Sequence, residues 1–159
     1  MTKSCKLPWL ISLVFLGIIL AMGYMFMVRG NTVASEDGRT AIVVTESERQ
    51  LLLAEMRGFL EAIQAITEAA GEDDMATIAS VARKVGTASA SEVPVALMGK
   101  LPLEFKTLGL STHGLFDELA LNAEDIGDAS IMMTSVGSLL QNCTSCHAGY
   151  KIIAEVPTN

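Results

Sequence analysis

Cys143-Thr144-Ser145-Cys146-His147, close to the C-terminus of this 159-residue chain, is the stretch on which the rest of the sequence depends. It reads C-x-x-C-H, the attachment signal of a c-type haem. On a helix, residues three and four positions apart share a face, so both thiols and the imidazole project together. The thiols can add to the two vinyl groups of one porphyrin ring, and His147 can ligate its iron. The motif therefore predicts one haem c, bound covalently through Cys143 and Cys146.

Three alternatives to haem remain for the same residues. A zinc site needs four ligands, and the only further soft or imidazole donors in the chain are His113 and Cys5. A thioredoxin-type C-x-x-C belongs at a helix start after a strand, and the sequence predicts no strands. The third alternative is a chance spacing of two buried cysteines. The haem interpretation is favoured because the motif falls on a predicted amphipathic helix in a chain with an export-type N-terminus.

The charge of the chain is acidic and unevenly distributed. From Gly30 onward, 8 Lys and Arg face 18 Asp and Glu, a net charge of −10. This balance argues against nucleic acid as a partner. It suits either a basic docking protein or a generally solvated acidic surface. With two of the three cysteines in the motif, no pair is left for a disulfide.

The first 29 residues are predicted to be a membrane segment. The 19 residues Leu10–Val28 carry no charge. As a helix, a run of this length is long enough to cross the hydrocarbon core. Lys3 and Lys6 favour an orientation with the N-terminus inside. The alternative is a signal peptide cut after the small residues Thr32–Ala34, although the apolar run is long for one. Either way, the remaining chain lies outside the cytoplasm, and we expect a single-pass protein of the bacterial inner membrane with its domain in the periplasm.

A helical domain follows a predicted linker over residues 30–44. The capping box Thr45-Glu-Ser-Glu48 begins the first helix, and Asp128 begins the last. Helical spacing of apolar residues predicts four amphipathic helices, over residues 45–71, 73–86 and 103–122 and from Asp128 to the motif. Between them, residues 87–102 are expected to be a loop with one short turn at 95–99. The predicted fold is all-α: an antiparallel up-down four-helix bundle enclosing one haem, preceded by a single transmembrane helix.

Three segments of this chain resemble the cytochrome c′ family over about residues 45–152. They are Arg49-Gln-Leu-Leu-Leu-Ala-Glu-Met56 in the first helix, Leu101-Pro-Leu-Glu-Phe-Lys-Thr-Leu-Gly-Leu-Ser-Thr-His-Gly-Leu-Phe-Asp117, and Cys143-Thr-Ser-Cys-His-Ala-Gly-Tyr-Lys151. Members of this family are four-helix bundles with the haem motif in the last helix. The resemblance implies a cytochrome c′-like haem domain over residues 45–155, and homodimers through the first two helices are common in the family.

The first helix determines the coordination that the resemblance implies. Low-spin relatives place a methionine ligand four residues after the matching arginine, where this chain has Leu53. A leucine cannot ligate iron, so the resemblance implies a five-coordinate, high-spin haem with an apolar distal side. Met56 lies one turn further along the same face. It either packs in the core or, in a different helix register, ligates the iron.

Further residues are expected near the haem. The resemblance places Lys151 near the proximal histidine, where it engages a small ligand or a propionate, or is simply solvated. Arg49 pairs either with a propionate or with Glu46 or Asp73 at the surface. Tyr150 and Phe116 are expected to pack near the ring. His113 is expected to be partly buried and hydrogen-bonded, although it is also a candidate second axial ligand.

The expected function is binding of small uncharged gases, above all NO, with CO as a related ligand. A vacant iron site behind an apolar wall admits such molecules and offers little hydrogen bonding to bound O₂. The first alternative is an electron-transfer cytochrome that serves redox partner proteins without any gas-binding role. The second is a haem subunit of a larger membrane complex. No set of residues resembles a hydrolytic or transfer active site, so the sequence does not predict an enzyme.

Overall fold

A computed structural model describes residues 6–91 and 93–156 of the chain, which are mostly helical. The N-terminal helix α1 (Lys6–Gly23) continues directly into a π-helix (Tyr24–Arg29). The 23 residues Leu7–Arg29 contain an 18-residue stretch with a mean hydropathy of 2.4, and none of that stretch is buried. By length and composition this is a helix that can cross a membrane or serve as a signal sequence. The expected roles of Lys3 and Cys5 concern residues outside the described ranges.

Four long or medium helices carry the helical domain, and their starts match the sequence signals. They are α2 (Glu46–Gly71), α3 (Met75–Lys84), α6 (Leu103–Asp125) and α7 (Ala129–Gly149). The capping box at α2 is confirmed, because Thr45 Oγ1 accepts from Glu48 N and Glu48 Oε2 accepts from Thr45 N. Asp74 and Asp128 cap α3 and α7 through their carboxylates. These side chains satisfy backbone N–H groups that the first turn of a helix leaves without partners.

The four helices pack in a cyclic order, α2 against α3, α3 against α6, α6 against α7 and α7 against α2. Between them lies the main core, whose largest fully buried members are Ile66, Ile78, Phe116, Leu119, Met132 and Leu139. The predicted apolar stripes therefore face inward. Three apolar residues that follow the helical spacing, Leu60, Ile131 and Leu140, are nevertheless exposed. They lie beside the buried residues, because the apolar face of each helix is wider than the surface that the neighbouring helices cover.

The segment between α3 and α6 contains two short helices. Helix α4 (Thr87–Ala90) was not expected, whereas α5 (Val95–Lys100) falls where the sequence predicts one turn. Leu97 of α5 is fully buried in a second, smaller core with Ile42, Val44, Leu52, Leu101 and Phe105. This second core joins the helices to a sheet.

A three-stranded sheet corrects the all-α expectation. Strand β1 (Thr32–Ala34) runs antiparallel to β2 (Thr40–Val44), and β2 runs parallel to β3 (Tyr150–Ala154). Residues 30–44, expected to be a linker, thus contain a hairpin. The physical reason is local: β2 and β3 are rich in β-branched residues, and the Asp37-Gly38 turn joins β1 to β2 with Gly38 at a φ of 83°. Residues Ile42 and Val44 are buried, so the hairpin belongs to a packed layer.

Two glycines inside α6 have no steric explanation within the protein. A Cβ added at Gly109 or Gly114 would meet no atom within 4 Å outside its own helix turn. Close approach of a neighbouring helix within the described residues therefore does not explain either glycine.

Candidate functional site

The C-x-x-C-H motif occupies the last two turns of α7, and β3 follows it without a connecting loop. Cys143 and Cys146 are free, half-buried thiols, while His147 is exposed. Cys143 packs against the main core and Cys146 against the second core, so the motif bridges the two. The helical spacing places all three side chains on adjoining positions of one helix end.

Burial raises the pKa of both thiols, and the neighbouring Cys143 sulfur adds to the effect at Cys146. Both cysteines are therefore protonated at neutral pH, unlike the thiolates of redox or zinc sites. The C-terminal end of a helix is also the unfavourable end for a negative charge. A thioredoxin-type motif lies at the opposite end of its helix. Among residues 6–91 and 93–156, no three His, Cys, Asp or Glu side chains form a metal-binding cluster.

A cleft of about 170 Å³ opens beside the motif. One wall is apolar and comes from the helices, with Leu53 and Met56 of α2 and Phe105 of α6. The other wall comes from α7 and the sheet and contributes Cys146, His147, Tyr150, Ile152 and the cations Arg39 and Lys151. The cleft thus combines an apolar interior with two positive charges.

The cations are held by the turn of the β1–β2 hairpin. Asp37 accepts from Arg39 Nε and Nη2 at 3.0 and 2.7 Å, and from Lys151 Nζ at 3.3 Å. These hydrogen bonds, with one from Ser35, hold the pKa of Asp37 well below its usual range. Arg39 Nη1 also lies 3.5 Å from the carbonyl oxygen of His147, so the hairpin covers the end of α7. Two cations sharing one carboxylate leave a net positive charge next to the motif.

Tyr150 closes the cleft on the side of α6. Its Oη donates to Glu104 Oε2 at 2.8 Å, and its ring packs edge-on against Phe105 with centroids 5.7 Å apart. Burial and the carboxylate of Glu104 together raise the pKa of Tyr150 to about 12. The phenol is therefore neutral at physiological pH and acts as a fixed donor.

Three predicted site residues, Phe116, Arg49 and Cys143, are not among the residues that line the cleft. Phe116 is fully buried in the main core, stacked on Phe59 with centroids 5.5 Å apart. Arg49 pairs with Glu46 at 3.5 Å, as one of its two expected roles requires, and it does not line the cleft. Leu53, Met56, Tyr150 and Lys151 do line it, together with Cys146 and His147.

His113 lies away from the motif in its own polar network. It is only 4% exposed, and its Nδ1 is 2.8 Å from the carbonyl oxygen of Val85. Its Nε2 lies 3.3 Å from Glu55 Oε1. Burial opposes the imidazolium, but the hydrogen bonds to Glu55 and Val85 outweigh this and raise the pKa of His113. A second cavity of about 250 Å³ adjoins this network, lined by Glu55, Phe59, Ser89 and apolar residues.

Three cleft residues were not singled out as site residues from the sequence: Arg39, Phe105 and Ile152. Phe105 was expected to face inward, but nothing marked it as adjacent to the motif. The signal for Arg39 was present in the Asp37-Gly38 dipeptide before a β-branched run, which is typical of a hairpin. Ile152 lies in a similar β-branched run after the motif.

The residues around the cleft fit a haem c. Two thiols one helical turn apart suit the two vinyl groups, and the histidine next to them suits the iron. The apolar wall of Leu53, Met56 and Phe105 suits the ring, and Arg39 and Lys151 suit its carboxylates. A comparison with models of protein families, with curated proteins and with solved structures found no match to this chain.

Proposed function

We propose that this protein is a membrane-tethered, periplasmic mono-haem cytochrome of the cytochrome c′ kind that binds small uncharged gases such as NO and CO. The observation that carries the proposal is the position of the motif. Both thiols and His147 lie at the end of the last helix, and Cys146 and His147 line a cleft that the apolar residues Leu53, Met56 and Phe105 also line. In this proposal the four packed helices form the antiparallel bundle of that family.

The chain's own residues have distinct tasks in this proposal. Cys143 and Cys146 hold the ring by two thioether bonds, and His147 ligates the iron from one side. A haem bound in this way supplies an iron site that binds diatomic gases and accepts or donates one electron. Leu53 lines the cleft and has no donor atom, so a haem bound there would receive no iron ligand from this residue, and the apolar lining around Leu53 would disfavour charged ligands. Arg39 and Lys151 neutralise propionate carboxylates at the rim.

Whether the haem iron has five or six ligands depends on the role of Met56. It lines the same wall as Leu53, half-buried against the second core. Its contacts with that core support a packing role, for which an unbranched thioether is well suited. The proposal therefore expects the ferric spectra of the wild type and of Met56→Leu to be high-spin and the same. A low-spin wild type that becomes high-spin in Met56→Leu would show that Met56 ligates the iron, and five coordination would be wrong.

Retention of the N-terminal segment is supported by the hairpin. A cut after Ala34 would remove all of β1, whose three residues pair with residues 40–42 of β2. We therefore propose a retained anchor. The test is the mass of the chain purified from membranes, which should include residues 1–34, and extraction should require detergent. A mature chain that begins after Ala34 would contradict retention.

Electron transfer is the second candidate function, and the acidic domain favours it. A net charge of −10 from Gly30 onward would steer a basic redox protein toward this surface at low ionic strength. The two candidates separate in one titration. Gas binding requires that NO and CO change the ferrous spectrum at low concentration, whereas fast reduction by a donor protein with no response to either gas favours electron transfer.

A further inference from the structure

The membrane helix joins the domain through two residues only. Arg29 ends the π-helix and Thr32 begins β1, so Gly30 and Asn31 are the whole connection. Gly30 has a φ of 64°, and a Cβ there would overlap the backbone of Lys100–Pro102. Both the conformation and the close approach require glycine. The connection is too short and too closely packed to act as a flexible tether.

Asn31 fixes this connection with hydrogen bonds in two directions. Its backbone N donates to the carbonyl oxygen of Lys100 at 2.7 Å. Its carbonyl accepts from Val43 N at 2.9 Å, and its side-chain amide donates to the carbonyl oxygen of Val43 at 2.8 Å. Asn31 thus binds the end of the membrane helix to both α5 and β2.

The last turn of the membrane helix also contacts the start of α6. Lys106 Nζ donates to the carbonyl oxygen of Met27 at 3.0 Å, which satisfies one of the carbonyls left free at a helix C-terminus. The ring of Phe26 lies beside Gly99 of α5. Three separate contacts, at Gly99, Lys100 and Lys106, therefore set the angle between the membrane helix and the domain.

The candidate haem cleft lies at the same end of the domain. Phe105, which lines the cleft, directly precedes Lys106. Glu104, in the same first turn of α6, accepts the hydrogen bond from Tyr150 at the other wall. The turn that contacts the membrane helix is thus also part of the cleft.

The two ends of the domain, the one that the membrane helix enters and the one opposite to it, differ in charge. The end where the membrane helix enters carries Arg29, Lys100 and Lys106. Lys100 pairs there with Glu48 at 2.7 Å and with Glu155 at 3.5 Å, and Glu104 lies in the same turn as Lys106, so this end is close to neutral. The opposite end, formed by the connections from α2 to α3 and from α6 to α7, is acidic and carries Glu72, Asp73, Asp74, Glu124, Asp125 and Asp128. Phospholipid phosphates therefore repel the acidic end, whereas the nearly neutral end can approach the headgroup layer.

We propose that the domain stands on the phospholipid headgroup layer on the end that carries the cleft, with the first turn of α6 in that layer. This inference rests on the retained anchor of the proposed function. Lys106 lies beside the lipid phosphates, and the exposed Leu103 next to it meets the apolar boundary. The cleft then receives uncharged molecules from the bilayer side, and the acidic end faces the periplasm.

Leu103 and Leu121 provide a matched pair for the test. They are 49% and 50% exposed, and 18 residues are five full helical turns, so both side chains point the same way from α6. They differ by about 27 Å along the helix axis. Leu103→Cys and Leu121→Cys are made in a Cys5→Ser background of the full-length, haem-loaded protein. Each is placed in nanodiscs of phosphatidylethanolamine and phosphatidylglycerol.

The readout is the rate at which a charged, membrane-impermeant maleimide modifies the introduced cysteine, followed on its own peptide by mass spectrometry. Each rate is divided by that of the same variant after denaturation. We expect Leu103→Cys to react about tenfold more slowly than Leu121→Cys, because the charged reagent enters the interfacial layer at a free-energy cost. Equal rates in nanodiscs would overturn the proposal.

A flexible insertion is the control for the junction. About ten Gly and Ser residues placed between Gly30 and Asn31 free the domain from a fixed angle, so the two rates should become equal. A difference that survives the insertion would overturn the role of the junction. Failure of the proposed function is visible separately: a cleaved anchor appears in the chain mass, and a colourless protein that keeps the rate difference contradicts the haem but not the docking.

Discussion

Gly86 packs directly against the side chain of Asp117 and leaves no room for a side chain of its own. A Cβ there would overlap the carboxylate of Asp117, which accepts from Thr87 N at 2.9 Å and from Thr87 Oγ1 at 2.6 Å. Gly86→Ala must displace that carboxylate or the helix behind it. We expect a loss of about 1–3 kcal/mol in the free energy of unfolding.

Gly137 is the matched control for Gly86. It lies exposed in the middle of α7, and a Cβ there meets nothing within 4 Å. Gly137→Ala should stabilise the protein by up to about 1 kcal/mol through helix propensity. Denaturant unfolding followed by circular dichroism measures both variants. A Gly86→Ala protein as stable as Gly137→Ala would contradict the packing described for α3 against α6.

His113 predicts a pH dependence of stability. It faces Glu55 of α2, the Val85 carbonyl at the end of α3 and Ser89 of α4, while Asp117 lies on its own helix. Its folded-state pKa is raised, so the imidazolium stabilises the folded state below the unfolded pKa of about 6.5. This contribution is lost as the pH rises through the folded-state pKa.

The measurement is the free energy of unfolding across neutral and mildly alkaline pH. The wild type should lose stability as the pH rises above about 6.5. His113→Gln should be less stable by about 1–3 kcal/mol at low pH, because Glu55 and the carbonyl oxygen of Val85 lose the charged imidazolium as a hydrogen-bond donor. It should also lack the pH-dependent loss. The same pH slope in His113→Gln as in the wild type would assign that slope to other groups.

At the scale of elements, the β1–β2 hairpin makes a prediction about the haem site. Arg39 lines the cleft, whereas Arg49 pairs with Glu46 outside it. If haem occupies the cleft, Arg39→Ala removes a positive charge near the iron and favours the ferric form. We expect its reduction potential to fall on the order of tens of millivolts.

Arg49→Ala is the control for charge without proximity, and its potential should stay close to that of the wild type. A redox titration followed by visible absorbance measures all three proteins. Equal shifts in both variants would mean that the hairpin does not hold its cation next to the iron.

The helices were predictable from the sequence because their signals are local. Thr45, Asp74 and Asp128 each cap a helix, and the apolar residues that follow repeat with a helical period. The sheet was not predicted, because β2 pairs with a strand more than 100 residues away and each strand is only three to five residues long. Short apolar runs of this kind carry little information about their partners.

The candidate site also divides into residues with a local sequence signal and residues that depend on long-range packing. Cys143, Cys146 and His147 were found from their spacing alone, and Leu53 and Met56 through the family resemblance. Arg39 depends on the hairpin, whose Asp37-Gly38 signal lies in the sequence but does not reveal that the hairpin packs beside the motif. Phe116 was expected near the ring and lies in the main core instead, since the core and the cleft draw on different faces of α6.

At the scale of the whole molecule, the second core and the sheet join three parts of the chain at one end. The N-terminal apolar helix joins the domain there, the cleft opens there, and α7 ends there with the C-x-x-C-H motif. A flexible linker over residues 30–44, as the sequence predicts, would leave these parts independent. The two-residue junction couples them instead.

The central claim is a haem bound to Cys143 and Cys146, ligated by His147 and open on the side of Leu53. The most direct measurement is the ferric absorption spectrum of the full-length protein, purified from membranes of cells that attach c-type haem. We predict a spectrum typical of five-coordinate, high-spin haem that stays with the chain after denaturation. A colourless protein, or a low-spin spectrum with a methionine-to-iron charge-transfer band, would contradict the account.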